Sequence, residues 1–149
     1  MLGLPERSGW GPIRHMSKME IVWKDEYCVG HSIIDYDHQT LVNITNELFN
    51  CVEAGLSAEE ISTTIKYLIN YVELHFKREE TLFLESTYPD SKAHMAKHRE
   101  IEQVVRGIAT QYTADPTAIN IDEVLAFLKK WLIKHIMHTD RTYVPFLVA

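Results

Sequence analysis

The stretch that decides the fold is SAEEISTTIKYLINYVELHFKREETLFLESTYPD, residues 57–90. Ser57 followed by Glu60 is the capping box of a helix N-terminus, and Pro89 marks the latest end of that helix. Between these signals one face recurs every three or four residues, the period of a helix: Ile61, Ile65, Leu68, Val72, His75, Glu79 and Leu82. The stretch therefore predicts an amphipathic helix that turns a histidine and a glutamate towards the protein interior.

The same period predicts three further helices, one before this stretch and two after it. The first covers about residues 36–54 and ends at Gly55; the third starts at Asp90 or Ser91 and runs to about residue 111. Asn120 with Glu123 caps the fourth, which ends no later than residue 145. The side chains expected to face the interior are, in the first helix, His38, Leu41, Thr45, Leu48 and Val52; in the third, His94, His98, Ile101, Val105 and Ile108; and in the fourth, Val124, Leu128, Trp131, Leu132 and His135.

Four amphipathic helices joined by short polar loops predict an all-α fold, an antiparallel up-down-up-down four-helix bundle. Residues 21–35 have no helical period and predict an extended N-terminal arm. We expect residues 1–18 to be a flexible extension and residues 19–149 to form one domain. A chain of 149 residues with 46% hydrophobic and 24% charged residues suits a single compact domain.

Charge and cysteine content exclude several classes of protein. The net charge of −6 disfavours nucleic acid and anionic membranes, which attract clustered Lys and Arg. Cys28 and Cys51 lie far apart with no CxxC pair, so neither a disulfide framework nor a zinc ribbon is expected. The first residues contain no apolar run of signal-peptide or membrane-span length, which predicts a cytoplasmic protein without membrane insertion.

Histidine and carboxylate positions carry the chemistry of this sequence. His75 and Glu79 are four residues apart, as are His94 and His98, and such pairs project together from one helix face. Because neighbouring helices alternate in direction, the start of the first and third helices and the end of the second and fourth meet at one end of the bundle. The candidate metal ligands at that end are His38, His75, Glu79, His94, His98, His135 and Asp140.

Each of these residues also has an ordinary structural interpretation. A single interior histidine is more often a hydrogen-bonded core residue, and one HxxxE or HxxxH is usually a solvated pair. Together, five histidines and two carboxylates would bury more polar groups than they can satisfy among themselves, and a metal centre resolves this. The ligand types suit iron, manganese or zinc. Seven ligands exceed one ion, so we predict two ions bridged by Glu79 and Asp140, with one coordination position open for a small diatomic molecule.

The last ligand has two candidates, His138 and Asp140. A three-residue step from His135 keeps His138 near the same helix face, whereas the five-residue step to Asp140 is less well aligned on an ideal helix. A carboxylate, however, can bridge two ions. We therefore predict Asp140 as the ligand.

Four motifs in this order resemble bacterial hemerythrins: IDYDH (34–38), HFKREE (75–80), YPDSKAHMAKH (88–98) and WLIKHIMHTDRTY (131–143). The resemblance covers about residues 20–146. Two positions depart from the family pattern: Asp37 stands where Gln is usual, and Leu82 and Phe83 stand near a position where Met is common. The same family places the last ligand at Asp140.

The resemblance implies a non-haem di-iron centre with an oxo or hydroxo bridge that binds O2 reversibly, for storage, delivery or sensing rather than catalysis. It implies that His94, His98 and His135 hold one iron, and that His38 with His75 hold the other, which has the open position. Apolar residues within one or two turns of the ligands are expected to wall the pocket: Leu82, Phe83, Ile101 and Trp131.

Two other functions remain open at this stage. A ferritin-like di-iron oxidase or peroxidase is one, although its Glu-x-x-His pairs have no inward-facing counterpart here. A sensory or partner-regulating module is the other, disfavoured by the absence of an output domain. We expect a monomer with O2 as ligand and an oxygen-consuming protein as a candidate partner.

Overall fold

Four α-helices make up most of the computed structural model, which describes residues 19–147. They are α1 (Ser32–Glu53), α2 (Ala58–Leu84), α3 (Ser91–Ala114) and α4 (Ile121–Met137). Short 3-10 turns occupy Asp25–Tyr27, Pro116–Ala118, Thr139–Arg141 and Val144–Phe146. The described part of the chain contains no strand, and the predicted all-α class is confirmed. The extension predicted at residues 1–18 lies outside the described residues.

Side-chain caps start α2 and α4 as the sequence predicts. The Ser57 hydroxyl accepts the Glu60 backbone N–H at 3.2 Å, and the Asn120 side chain accepts the Glu123 N–H at 3.3 Å. Each bond satisfies one of the N–H groups that a helix start leaves without an intrahelical partner. Asp90 is the N-cap residue of α3 but makes no side-chain cap bond.

The first helix begins earlier than predicted, at Ser32 rather than near residue 36. His31 caps it, because its Nδ1 accepts the Ile34 N–H at 3.4 Å. The Asp35 carboxylate accepts two backbone N–H groups of the preceding loop, at 2.7 and 3.2 Å. These local bonds order residues whose irregular pattern predicted an extended arm, so that the arm before α1 is shorter than expected.

The third helix is also longer than predicted, ending at Ala114 rather than near residue 111. Tyr112 is buried and extends the apolar face of α3 by another turn. Asp115 and Pro116 then end the helix as expected, because a proline disfavours the helical conformation of the residue before it. Asp115 is accordingly extended, at φ −153° and ψ 97°.

The bundle is antiparallel, with α2 packed between α1 and α3, and with α4 packed against α1. Ile21, at 5% exposure, packs the chain before α1 onto the core, and its backbone exchanges two hydrogen bonds with the Asn46 side chain. Apolar side chains from all four helices fill the interior, among them Leu41, Leu48, Phe49, Ile61, Ile65, Leu68, Val72, Ile101, Val105, Val124, Leu128 and Leu132.

A second, smaller apolar cluster lies at one end of the bundle: Ile34, Phe83, Tyr88 and Tyr143. It joins the start of α1 and the end of α2 to the chain that follows α4. Among residues 19–147, no helix combines the length and apolar character that a membrane crossing requires.

Candidate metal centre

Seven buried side chains that can bind metal meet at the end of the bundle where α1 and α3 begin. Every helix supplies at least one of them, and the turn after α4 supplies the last. None is more than 3% exposed: His38, His75, Glu79, His94, His98, His135 and Asp140. The structure thus brings together all seven residues that the sequence predicts as ligands.

The ligand atoms form two groups that share Asp140. One group contains His38, His75 and His135, the other Glu79, His94 and His98, and within each group the ligand atoms lie within 4.8 Å of one another. This division differs from the one that the resemblance implies, in which His135 joins His94 and His98. The reason is local: His135 Nε2 lies 2.7 Å from Asp140 Oδ2, the oxygen that His38 and His75 also contact, but 3.7 Å from Glu79 Oε1.

All five imidazoles aim Nε2 at the two carboxylates. His38 Nε2 lies 2.7 Å from Asp140 Oδ2, and His75 Nε2 lies 3.1 Å from both Glu79 Oε1 and Asp140 Oδ2. His94 Nε2 lies 3.4 Å from Asp140 Oδ1, and His98 Nε2 lies 3.3 Å from Glu79 Oε1. Glu79 and Asp140 therefore occupy the centre of a ring of imidazoles.

Hydrogen bonds on the far side of three imidazoles hold them in this orientation. The partners of Nδ1 are Asp37 for His75 at 3.0 Å, Tyr88 for His94 at 3.1 Å and Glu80 for His98 at 2.9 Å. A carboxylate oxygen accepts hydrogen bonds, so His75 and His98 donate from Nδ1 and point Nε2 inwards, where it can bind a metal once it carries no proton. That is the tautomer in which histidine binds a metal through Nε2.

Electrostatics keep both central carboxylates ionised. Burial alone would raise the pKa of Asp140, but the neighbouring imidazoles of His135, His38 and His75 hold that pKa well below its usual range. Burial and the Asp140 charge likewise oppose ionisation of Glu79, and contacts with His75 and His98 overcome them and lower its pKa.

The pKa values of the imidazoles shift in different directions. Burial disfavours the charged form of His75, but Glu79, Asp140 and Asp37 outweigh it and raise the pKa of His75 well above its ordinary value. Burial dominates at His135 and lowers its pKa. Charged groups of both signs are thus concentrated in a dry interior.

Several polar atoms of this cluster have no hydrogen-bond partner: both carboxylate oxygens of Glu79, Asp140 Oδ1, and Nε2 of His94 and His98. Each unpaired buried polar group costs about 1–3 kcal/mol. Cations between these atoms would satisfy them, and imidazole with carboxylate is a donor set that suits iron, manganese or zinc. The residues present therefore fit a metal centre, and their number fits two ions rather than one.

Asp140 reaches the centre because α4 ends before it. The helix stops at Met137, His138 adopts φ −123° and ψ −58°, and a 3-10 turn follows over Thr139–Arg141. This break carries Asp140 to full burial and leaves His138 exposed. On an ideal helix Asp140 would be poorly aligned with His135. That argument does not apply here, because the helix ends before Asp140.

Three of the four predicted pocket residues lie beside the ligands. The Phe83 ring lies 4.9 Å from His94 between centroids, and Trp131 stacks on His135 at 4.9 Å. Ile101 and Trp131 line a cleft between α3 and α4, about 370 Å³ in volume, whose lining also includes the buried His98 and His135. Leu82 is only half-buried and packs instead against the second apolar cluster, which contains Phe83 and is called the Phe83 cluster below.

Two aromatic residues that sequence reasoning missed are central to the site. Phe76 is fully buried and stacks on His98 at 3.8 Å with an interplanar angle of 5°. Tyr143 is also fully buried, and burial together with Glu79 and Asp140 raises its pKa above the ordinary tyrosine range. Both lie close to ligands in the sequence, one residue after His75 and three after Asp140, which is the signal that could have found them.

Comparisons with known proteins agree with this geometry. The profile of the Hemerythrin HHE cation binding domain matches residues 29–147. A bacteriohemerythrin of Methylococcus capsulatus is 32% identical over 124 residues, which cover 83% of this chain and 93% of that protein. A hemerythrin-like protein of Naegleria gruberi is 30% identical over 121 residues, covering 81% and 88%.

Solved structures give the same result. The crystal structure of a wild-type hemerythrin matches with a TM-score of 0.78 and 31% identity, covering 87% of this chain and 98% of that one. A hemerythrin with a single leucine-to-tyrosine substitution matches with a TM-score of 0.79 and 30% identity over the same shares. Fold, sequence profile and buried ligand cluster coincide over most of the chain, and the chain belongs to the hemerythrin HHE cation-binding domain family.

Proposed function

We propose that this chain binds O2 reversibly at a non-haem di-iron centre and serves in oxygen storage, delivery or sensing. The observation that carries the proposal is the convergence of five Nε2 atoms on two buried, ionised carboxylates, within 3.4 Å in every case. The ligands would be the seven residues already described, with Glu79 and Asp140 as bridges.

Counting coordination positions supports a vacancy for O2. Two six-coordinate ions offer about twelve positions, of which five imidazoles, two bridging carboxylates and one oxo or hydroxo bridge fill about eleven. The irons supply, when bound, the reversible electron transfer that captures O2.

The protein's own side chains orient and protect the centre. Asp37, Glu80 and Tyr88 hold three imidazoles in place from behind. Phe76 and Phe83 cover His98 and His94, where their rings exclude water from the ligand atoms. A dry, rigid ligand set favours return of the gas intact, because water and protons promote its loss as peroxide.

Carriage is favoured over oxidase or peroxidase chemistry because five of the seven ligands are imidazoles. Ferritin-like di-iron enzymes instead use a carboxylate-rich set built on Glu-x-x-His pairs. In this proposal the chain is a monomer that performs no catalysis, and an oxygen-consuming protein would receive the gas.

The test is an optical spectrum of the iron-loaded, anaerobically reduced protein before and after exposure to air. We expect a visible charge-transfer band that appears in air and disappears when oxygen is removed, over repeated cycles. Zinc-loaded protein is the control and should show no band. Irreversible oxidation on first contact, without a transient band, would overturn the proposal in favour of the oxidase alternative.

A further inference from the structure

A buried carboxylate lies directly behind one ligand, His75. Asp37 belongs to α1 and is fully buried, yet its side chain faces α2. Its Oδ2 accepts the His75 Nδ1–H at 3.0 Å, and its Oδ1 accepts the Tyr71 hydroxyl at 2.9 Å. Arg78 donates to the same Oδ1. Both oxygens of one buried carboxylate are thus engaged by three residues of the neighbouring helix.

The three partners of Asp37 come from one face of α2. Tyr71, His75 and Arg78 are four and three residues apart, the spacing that places side chains above one another on a helix. Arg78 extends to the surface, where 38% of its side chain is exposed, and Tyr71 is partly exposed as well. The network therefore runs from solvent, through the guanidinium and the carboxylate, to the ring of His75.

A comparison with His98 shows what is special about Asp37. Glu80 accepts the His98 Nδ1–H at 2.9 Å, but its side chain is 19% exposed and it also pairs with Arg99, itself 52% exposed. Water weakens that carboxylate's effect on the ring. Asp37 is dry, so its negative charge acts on His75 with little solvent screening.

An anionic acceptor on Nδ1 makes an imidazole a stronger electron donor at Nε2. We propose that Asp37 strengthens His75 as a metal ligand and lowers the reduction potential of the centre, while Arg78 limits this effect by neutralising part of the carboxylate charge. The inference rests on the proposed metal centre and makes Asp37 and Arg78 positioning residues, since neither would touch the metal.

The test compares two variants whose effects should have opposite signs. Asp37→Asn keeps the shape and one acceptor oxygen but removes the charge. We expect it to lower the Co²⁺ affinity of the full-length protein about tenfold, by analogy with other partners of metal-binding histidines, and to raise the midpoint potential of the iron-loaded protein. Arg78→Gln leaves the Asp37 charge less neutralised and should lower that potential.

A matched control lies two residues away on the same helix. Asp35→Asn makes the same change of charge, but the Asp35 carboxylate accepts from the backbone of Val29 and Gly30 and not from a metal-binding histidine, so the variant should keep the affinity and potential of the wild type. If Asp37 and Arg78 had a purely structural role, Asp37→Asn and Arg78→Gln would shift the midpoint potential in the same direction.

The outcomes separate this inference from the proposed function. If the wild type binds two Co²⁺ and Asp37→Asn matches it in affinity and potential, the role of Asp37 is wrong while the metal centre stands. If the wild type binds no Co²⁺ at the centre, the proposed function fails first. Should Asp37→Asn not fold, Arg78→Gln still decides, because an unchanged or raised potential contradicts the inference.

Discussion

The two ends of the bundle are built on opposite principles. At the end where α1 meets α2, apolar side chains such as Phe49 and Ile61 are buried against one another and need no partner beyond close packing. At the other end, seven polar side chains occupy equally buried positions, and several of their atoms lack a hydrogen bond. Packing at the apolar end thus offsets the free-energy cost of holding charged groups in a dry interior at the other end.

This contrast teaches how the fold accommodates a costly site. Burial of each unpaired polar group costs about 1–3 kcal/mol, and the apolar half of the bundle offsets that cost. Substitutions at the two ends should therefore differ in kind: those at the polar end change metal binding, and those at the apolar end change stability alone.

The largest expected effect is loss of the centre in Asp140→Ala. This carboxylate belongs to both groups of ligand atoms and would bridge the two ions, so its removal breaks both at once. We expect iron content to fall below two per chain and the oxygen-dependent band to vanish. His138→Ala is the matched control: His138 is exposed, and its loss should change neither. The reverse pattern would contradict the assignment.

Removal of metal should lower stability by the next largest amount. Binding to the folded state contributes about 4 kcal/mol for each ion at a free concentration about a thousandfold above Kd. Thermal melts of chelated and iron-loaded protein should therefore differ by many degrees, the chelated form melting lower. Equal melting temperatures would show that the ions do not occupy the buried cluster.

A cavity in the apolar end should reduce stability without touching the metal. Phe49 is 1% exposed and lies near the end of α1, far from the ligands. Phe49→Ala should cost about 3–5 kcal/mol of unfolding free energy, measured by urea titration of the metal-loaded protein. Two metal ions per chain should remain, and a loss of either would mean that the two ends are not independent.

The smallest effect concerns the lifetime of the oxygen adduct. Ile101 lines the cleft beside His98 and His135, so Ile101→Thr brings a polar group and water nearer to the ligands and should speed autoxidation severalfold. Leu82→Thr is the comparison, because Leu82 packs on the Phe83 cluster and should have a weaker effect. The decay of absorbance in air measures the autoxidation rate of both variants. A faster decay for Leu82→Thr than for Ile101→Thr would show that the oxygen pocket lies beside Leu82 instead.

Much of the fold could be predicted because its signals are local. The caps at Ser57 and Asn120 and the three- and four-residue periods lie within single helices, and antiparallel packing then brings the ligand positions to one end. The early start of α1 could not be predicted from apolar periodicity, because the side chains of His31 and Asp35 order it through bonds to backbone N–H groups.

The partners behind the ligands were harder to predict for a different reason. Asp37 and His75 are 38 residues apart and meet only once α1 and α2 pack together. Tyr88 reaches His94 by way of a turn whose geometry the sequence pattern does not specify. Long-range pairing therefore limits prediction here more than the identity of the ligands does.

The central claim is that all seven side chains hold two metal ions, and anomalous X-ray diffraction of crystals of the iron-loaded protein at the iron edge tests it most directly. We predict two anomalous peaks per chain, both in contact with Glu79 and Asp140 and each bonded to Nε2 atoms of the surrounding histidines. The same map would show to which ion His135 belongs. A single peak, or peaks away from Glu79 and Asp140, would contradict the claim.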